Sequence, residues 1–129
     1  MNQGLIKTYN AGGAIAANTI LAVSDADYEV VQASAATDDM VGVCISPKGA
    51  ASGGRVDVQI DGIALVKFGD TVARGKPVTA DANGKAVLAE PAAAVNVRII
   101  GYAEISAVDG DIAPVRLAPG YLQGEGNAA

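Results

Sequence analysis

The chain has no histidine and no tryptophan, and only one cysteine, one phenylalanine and four tyrosines in 129 residues. Without histidine it lacks the side chain that most often serves as general base and metal ligand near neutral pH. A lone cysteine, Cys44, excludes an internal disulfide and a multi-cysteine zinc site. Flanked by Val43 and Ile45, with no basic neighbour to lower its pKa, it reads as a small buried residue on a strand. Charged residues are only 18% of the chain against 50% hydrophobic, which excludes an intrinsically disordered chain. No apolar run approaches the roughly 20 residues of a membrane-spanning helix. The stretch Met1 to Gly13 holds one lysine and no apolar signal-peptide core, so the expectation is synthesis in the cytosol and use there or in a particle assembled there. The net charge is −5 and the basic residues are scattered, which argues against direct contact with nucleic acid or an anionic membrane. Phosphate-binding loops, dinucleotide fingerprints and Gly-x-Ser-x-Gly elbows are all missing.

What the chain does have is glycine, 16 of them, together with many alanines and valines. Turn signals at Gly12-Gly13, Ser24-Asp25, Pro47-Lys48-Gly49, Gly53-Gly54, Asp61-Gly62, Asn83-Gly84 and Asp109-Gly110 punctuate short runs rich in valine and isoleucine. That rhythm predicts an all-β sandwich or barrel in one domain, with no long amphipathic helix. Strands are expected at Leu5 to Tyr9, Thr19 to Val23, Tyr28 to Gln32, Met40 to Ser46, Val97 to Ser106 and Ala113 to Leu117. Gly101 lies inside the fifth of these, where a bulge or a close backbone approach fits. Ala33 to Asp39 reads as a loop or one helical turn, and Ala89 to Val95, with Pro91, as a loop or short helix.

Two hairpins are predicted. Arg55 to Ile60 and Ile63 to Lys67 flank Asp61-Gly62; a two-residue type I′ loop there sets Ile60 opposite Ile63, Val58 opposite Leu65 and Val56 opposite Lys67. Pro77 to Asp81 and Lys85 to Ala89 flank Asn83-Gly84. The β-domain is expected to span residues 13 to 118. Residues 1 to 12 read as an N-terminal arm, and 119 to 129, with three glycines, as a flexible tail.

Chemistry-bearing constellations are sparse. Asp25 with Asp27, and Asp109 with Asp111, have the spacing to hold a hard cation, but they sit in turns that aspartate favours anyway, and neither matches a calcium loop. A carboxylate pair for glycoside hydrolysis would lack the aromatic platforms that hold a sugar. The Gly69-Asp70-Thr71-Val72 pattern also occurs in biotinyl and lipoyl carrier domains, whose modified lysine would correspond to Lys85; the usual residues around that lysine are not present. Tyr9 and Tyr121 flank the two expected arms and are positioned to anchor them on a neighbour, although buried strand packing suits the tyrosines equally.

Several segments taken together carry a resemblance. They are Val41-Gly42-Val43, Ile60-Asp61-Gly62-Ile63-Ala64, the run from Gly69-Asp70 through Gly75-Lys76-Pro77-Val78-Thr79-Ala80-Asp81 to Asn83-Gly84-Lys85-Ala86-Val87, then Ile100-Gly101-Tyr102-Ala103-Glu104, Gly110-Asp111 and Pro114-Val115-Arg116-Leu117. In order and spacing this set, over about residues 12 to 118, resembles the small capsid decoration (cement) proteins of tailed phages. The resemblance implies a β-barrel or β-tulip-like body, a homotrimer, and binding to the major capsid protein on the outer surface of the virion, with no enzymatic activity and no cofactor or metal. Leu5, Ile6 and Tyr9 in the first arm and Tyr121 in the second would then make the protein contacts. The alternatives are a ligand- or glycan-binding module, which a glycan array would separate from a decoration protein, and a carrier domain modified at Lys85.

Overall fold

The computed structural model describes residues 4–91 and 96–123. Among them are ten strands and no helix: β1 (Ile6–Ala11), β2 (Ile20–Val23), β3 (Glu29–Gln32), β4 (Met40–Cys44), β5 (Arg55–Gln59), β6 (Ile63–Lys67), β7 (Pro77–Ala80), β8 (Ala86–Leu88), β9 (Asn96–Ala103) and β10 (Ile112–Gln123). The all-β expectation holds. The first five close into a barrel in the order β1-β3-β2-β4-β5, and the second five form a sheet in the order β6-β10-β9-β7-β8.

Two layers of core follow from strand alternation. Leu21 of β2 and Cys44 of β4 point into the barrel with Ala11, Ile15, Val30, Val56 and Val58. Their neighbours Ile20, Ala22, Met40 and Val43 point the other way, into a second cluster built around Phe68, Val66, Val78, Ile100 and Val115. β2 and β4 are therefore a shared wall buried on both faces, which is why they read as nearly unbroken apolar runs. The second core is lined heavily by alanine (Ala64, Ala80, Ala86, Ala103, Ala113), so the two sheets approach closely. The only phenylalanine, Phe68, fills its centre with no exposure.

Cys44 is fully buried, as its neighbours predicted, and burial pushes its thiol pKa upward. Its Sγ lies 3.9 Å from the Ser46 carbonyl oxygen. A raised pKa and no solvent access both suppress the thiolate that reacts. Cys44 is expected to resist a maleimide in mildly alkaline buffer and to label at once when denaturant is added. Rapid labelling of the native protein would contradict this packing.

Residues 1 to 12 do not form an arm over their described part. β1 pairs with β5 from Ile6↔Gln59 to Asn10↔Arg55 and runs parallel to β3 at Asn10↔Glu29 and Ala11↔Val30. It is the stave that closes the barrel, and closure removes two exposed strand edges at once. The expected tail also begins later than predicted, because β10 continues through Pro119 to Gln123, paired with β9. A register shift between Leu117 and Gly120 lets the strand carry on past Pro119. Residues 124–129 of that tail, and 92–95 of the expected loop or short helix, lie outside the described residues.

The Asn83-Gly84 hairpin forms as predicted, with Val78↔Leu88, Thr79↔Val87 and Ala80↔Ala86. Its loop is a turn closed by the Gly84 N–H donating to the Asp81 carbonyl at 3.2 Å, with Gly84 at φ 72. Asp81 Oδ1 accepts from the Asn83 and Lys85 N–H groups at 2.8 and 3.0 Å. The Asp61-Gly62 hairpin does not form. β5 pairs with β1 and β4, while β6 pairs with β10 in the other sheet. The turn is instead the crossing between barrel and sheet, with Gly62 at φ 82 and its carbonyl accepting from Leu117. Ala64 and Val66, not Ile63 and Leu65, face the core.

Candidate functional site

Among the described residues much of the sheet edge is met inside the chain, except the last stretch of β10 (118–123), which runs beyond β6 and pairs with β9 alone. The closed barrel has no edge. At the β6 edge, buried Gln59 donates from Nε2 to the Ile63 carbonyl at 2.9 Å and to the Asp61 carbonyl at 2.9 Å. Asn18 donates from Nδ2 to the Leu65 carbonyl at 3.1 Å, and its own carbonyl accepts from the Lys67 N–H at 2.8 Å. Asn18 sits at φ 61, a left-handed conformation that asparagine tolerates better than most residues. At the opposite edge, Phe68 bridges in parallel to Ala86 of β8. Beside β6, addition of a partner strand has little backbone to use. On this edge any contact is left to side chains.

The outer face of the second sheet offers them. The register places Lys67 beside Ile112, Leu65 beside Pro114, and Ile63 beside Arg116, with Tyr102 next to Arg116 on β9. Their alternates Ala64, Val66, Ala113 and Val115 are buried, so this row looks outward. Leu65 is 41% and Ile112 54% exposed. The loop leading into β10 adds the exposed Ile105 and Val108. The Arg116 guanidinium lies 5.2 Å from the Tyr102 ring centre, which holds that aromatic in place beside the apolar row. Several large apolar side chains on and beside one rigid face make this the candidate contact surface.

The four residues expected to make protein contacts are dispersed. Leu5 and Ile6 are exposed at the start of the barrel, where the Leu5 carbonyl accepts from the Ile60 N–H at 2.9 Å. Tyr9 is half-buried, packs on the barrel core and has Lys7 Nζ 5.5 Å from its ring. Tyr121 is exposed on β10, with the Arg98 guanidinium 4.2 Å above its ring, and Arg98 is in turn paired with Asp39 at 2.7 Å. The structure gathers Leu5 with Ile6, and Tyr121 with Arg98 and Asp39, on different sheets. The surface residues that sequence reading missed are Leu65, Ile112 and Tyr28. Tyr28 was expected to open a strand; β3 instead starts at Glu29, and Tyr28 occupies the preceding turn.

Of the remaining candidates, Lys85 is half-buried; its side-chain stem lies against Gly69 instead of standing free at a hairpin tip. Asp111 serves its own turn, accepting from the Val108 N–H at 3.0 Å. Among the described residues no group of three or more acidic or cysteine side chains is placed to hold a metal. No helix among them is long and apolar enough to cross a membrane.

No family model matches the chain, and no curated protein sequence does. Among solved structures it is similar to the N-terminal base of the head fiber protein gp8.5 of bacteriophage phi29, with a TM-score of 0.65 and 22% identity over 88% of this chain and 93% of that one. The two share a fold. This agrees with the resemblance to phage capsid accessory proteins seen in the turn-and-strand pattern of the sequence.

Proposed function

We propose that the chain is a structural virion protein that sits on the outer surface of a phage capsid, bridges coat subunits and stabilises the shell, without enzymatic activity. The observation that supports this most is the shared fold with a phage head fiber base over nearly the whole of both chains. The surface chemistry is consistent: polar groups of the β6 edge are used within the chain, and an apolar row remains outside on rigid strands. A body of this kind binds the assembled lattice in preference to free subunits, so every bound copy shifts the equilibrium toward the intact shell. Assembly as a homotrimer would multiply the weak contacts of each copy.

The row Leu65, Pro114 and Ile112 is the contact this proposal uses. The double variant Leu65→Thr, Ile112→Thr keeps strand-favouring residues while removing most of the exposed apolar surface. It is expected to fold with a stability within about 1 kcal/mol of the parent. Co-sedimentation with expanded capsids of the protein's own phage should fall by roughly tenfold or more. Light scattering on the parent should give a trimer, in solution or once bound. A parent protein that stays in the supernatant with mature shells present would refute the capsid reading.

A further inference from the structure

The barrel carries one large aromatic that the fold does not use. Tyr28, in the turn between β2 and β3, is 75% exposed, more than any other large hydrophobic side chain among the described residues. It also holds φ 59. In that conformation the Cβ crowds the following carbonyl oxygen, and only glycine, and to a lesser degree asparagine and aspartate, enter it readily. A bulky aromatic there is a steric cost with no burial in return. The turn around it is well fastened. Ser24 Oγ donates to Glu29 Oε1 and accepts from the Ala26 N–H at 3.2 Å. The Glu29 N–H donates to the Ala26 carbonyl at 3.3 Å, and the Tyr28 carbonyl accepts from the Asn10 N–H of β1 at 2.8 Å. Backbone bonds alone would be served at least as well by glycine. The side chain is therefore accounted for by something outside the chain.

We infer that Tyr28 is an anchor that inserts into the protein surface this molecule binds, and that the surface presents an arginine or lysine to it. The neighbours choose that chemistry: Asp25 and Asp27 stand exposed in the same turn, both just before Tyr28 in the chain. An exposed ring in one turn with two exposed carboxylates suits a guanidinium or ammonium group, by cation–π attraction and ion pairing together. Tyrosine is also among the residues that dominate binding energy at interfaces, because it brings a large contact area with few rotatable bonds. The inference rests on the capsid reading above and adds a second contact, on the barrel, to the one on the outer sheet.

The test compares the parent with Tyr28→Gly and Tyr28→Phe, reading thermal melting and binding to expanded capsids of the protein's own phage. Tyr28→Gly is expected to melt at or above the parent, since glycine relieves the left-handed backbone, and yet to bind at least tenfold more weakly. Tyr28→Phe keeps the ring and should bind within about threefold of the parent. Parent binding should weaken as salt rises, and less steeply in Asp25→Asn, Asp27→Asn. The anchor is overturned if Tyr28→Gly binds like the parent, or if it melts several degrees lower, which would give the ring a structural task. A parent that does not bind capsids fails both readings together, whereas equal binding by parent and glycine variant fails only this one.

Discussion

Gly101→Ala is expected to destabilise the protein by about 3 kcal/mol or more, enough to lower its melting temperature by roughly 10 °C. Gly101 is buried in β9, opposite Leu117 of β10. A Cβ built there would run into the Arg116 carbonyl oxygen, and would also meet the Arg116 carbonyl carbon at 2.9 Å and the Leu117 Cα at 3.0 Å. All three are backbone atoms of the paired strand, so no side chain can swing aside. Either β9 and β10 separate or the local ladder is lost, and these two strands carry the middle of the second sheet. The control is Gly13→Ala, whose Cβ would meet nothing within 4 Å. There alanine only narrows the unfolded ensemble, and stability should stay level or rise by up to about 1 kcal/mol. Urea unfolding of the two variants should therefore give opposite signs, or a large loss against no change. A Gly101→Ala protein as stable as its parent would mean that β9 and β10 are not packed this closely.

The same position shows what a sequence can disclose. Gly101 inside an apolar run signalled a close backbone approach, and that signal is local. So are the turns: Asn83-Gly84 folds the chain back on itself as its dipeptide predicts. Strand positions followed from the spacing between such turns. Partnership did not. Asp61-Gly62 is as good a hairpin signal as Asn83-Gly84, but β1 and β10 compete for the flanking strands and win. Ile63-Ala64-Leu65-Val66 is apolar on both faces, so alternation could not say which face turns inward. The thin space between barrel and sheet takes the small pair, Ala64 and Val66, and leaves Leu65 outside. The contact row on the second sheet was invisible for that reason. β1 was expected as a strand at Leu5 to Tyr9, but its partners were not legible, and residues 1 to 12 read as an arm. Of its six residues only Ala11 is buried and Tyr9 half-buried, so little in its composition ties it to a core. Tyr28 gave no warning either, since nothing in the residue type foretells a left-handed turn.

Gln59→Glu is expected to make stability fall as pH rises, in a chain where Gln59→Leu imposes a loss that is the same at every pH. Gln59 is 2% exposed and its Nε2 is shared between the Asp61 and Ile63 carbonyls, each at 2.9 Å, across the joint from barrel to second sheet. Leucine fills similar space but takes the donor from both part-buried bonds, a loss of about 1–3 kcal/mol. Glutamate has nearly the shape of glutamine. When protonated it donates to one carbonyl and stays neutral. When ionised it places a buried charge against two carbonyl oxygens that repel it. Its folded pKa must therefore lie above the unfolded value of about 4.3. The folded state then holds the proton more tightly than the unfolded state, so the slope of unfolding free energy with pH is negative. Relative to the parent at each pH, the glutamate variant should be modestly weakened near about pH 4 and increasingly weakened above it, the decline ending only once pH passes the raised folded pKa. Denaturant unfolding of parent, glutamate and leucine variants across that range checks the claim, and the parent curve removes the contribution of the native carboxylates. A glutamate variant whose deficit did not change with pH would show that residue 59 reaches water. The seam between the two sheets would then be open, and the β6 edge, with its Leu65 row, would be held by Asn18 alone.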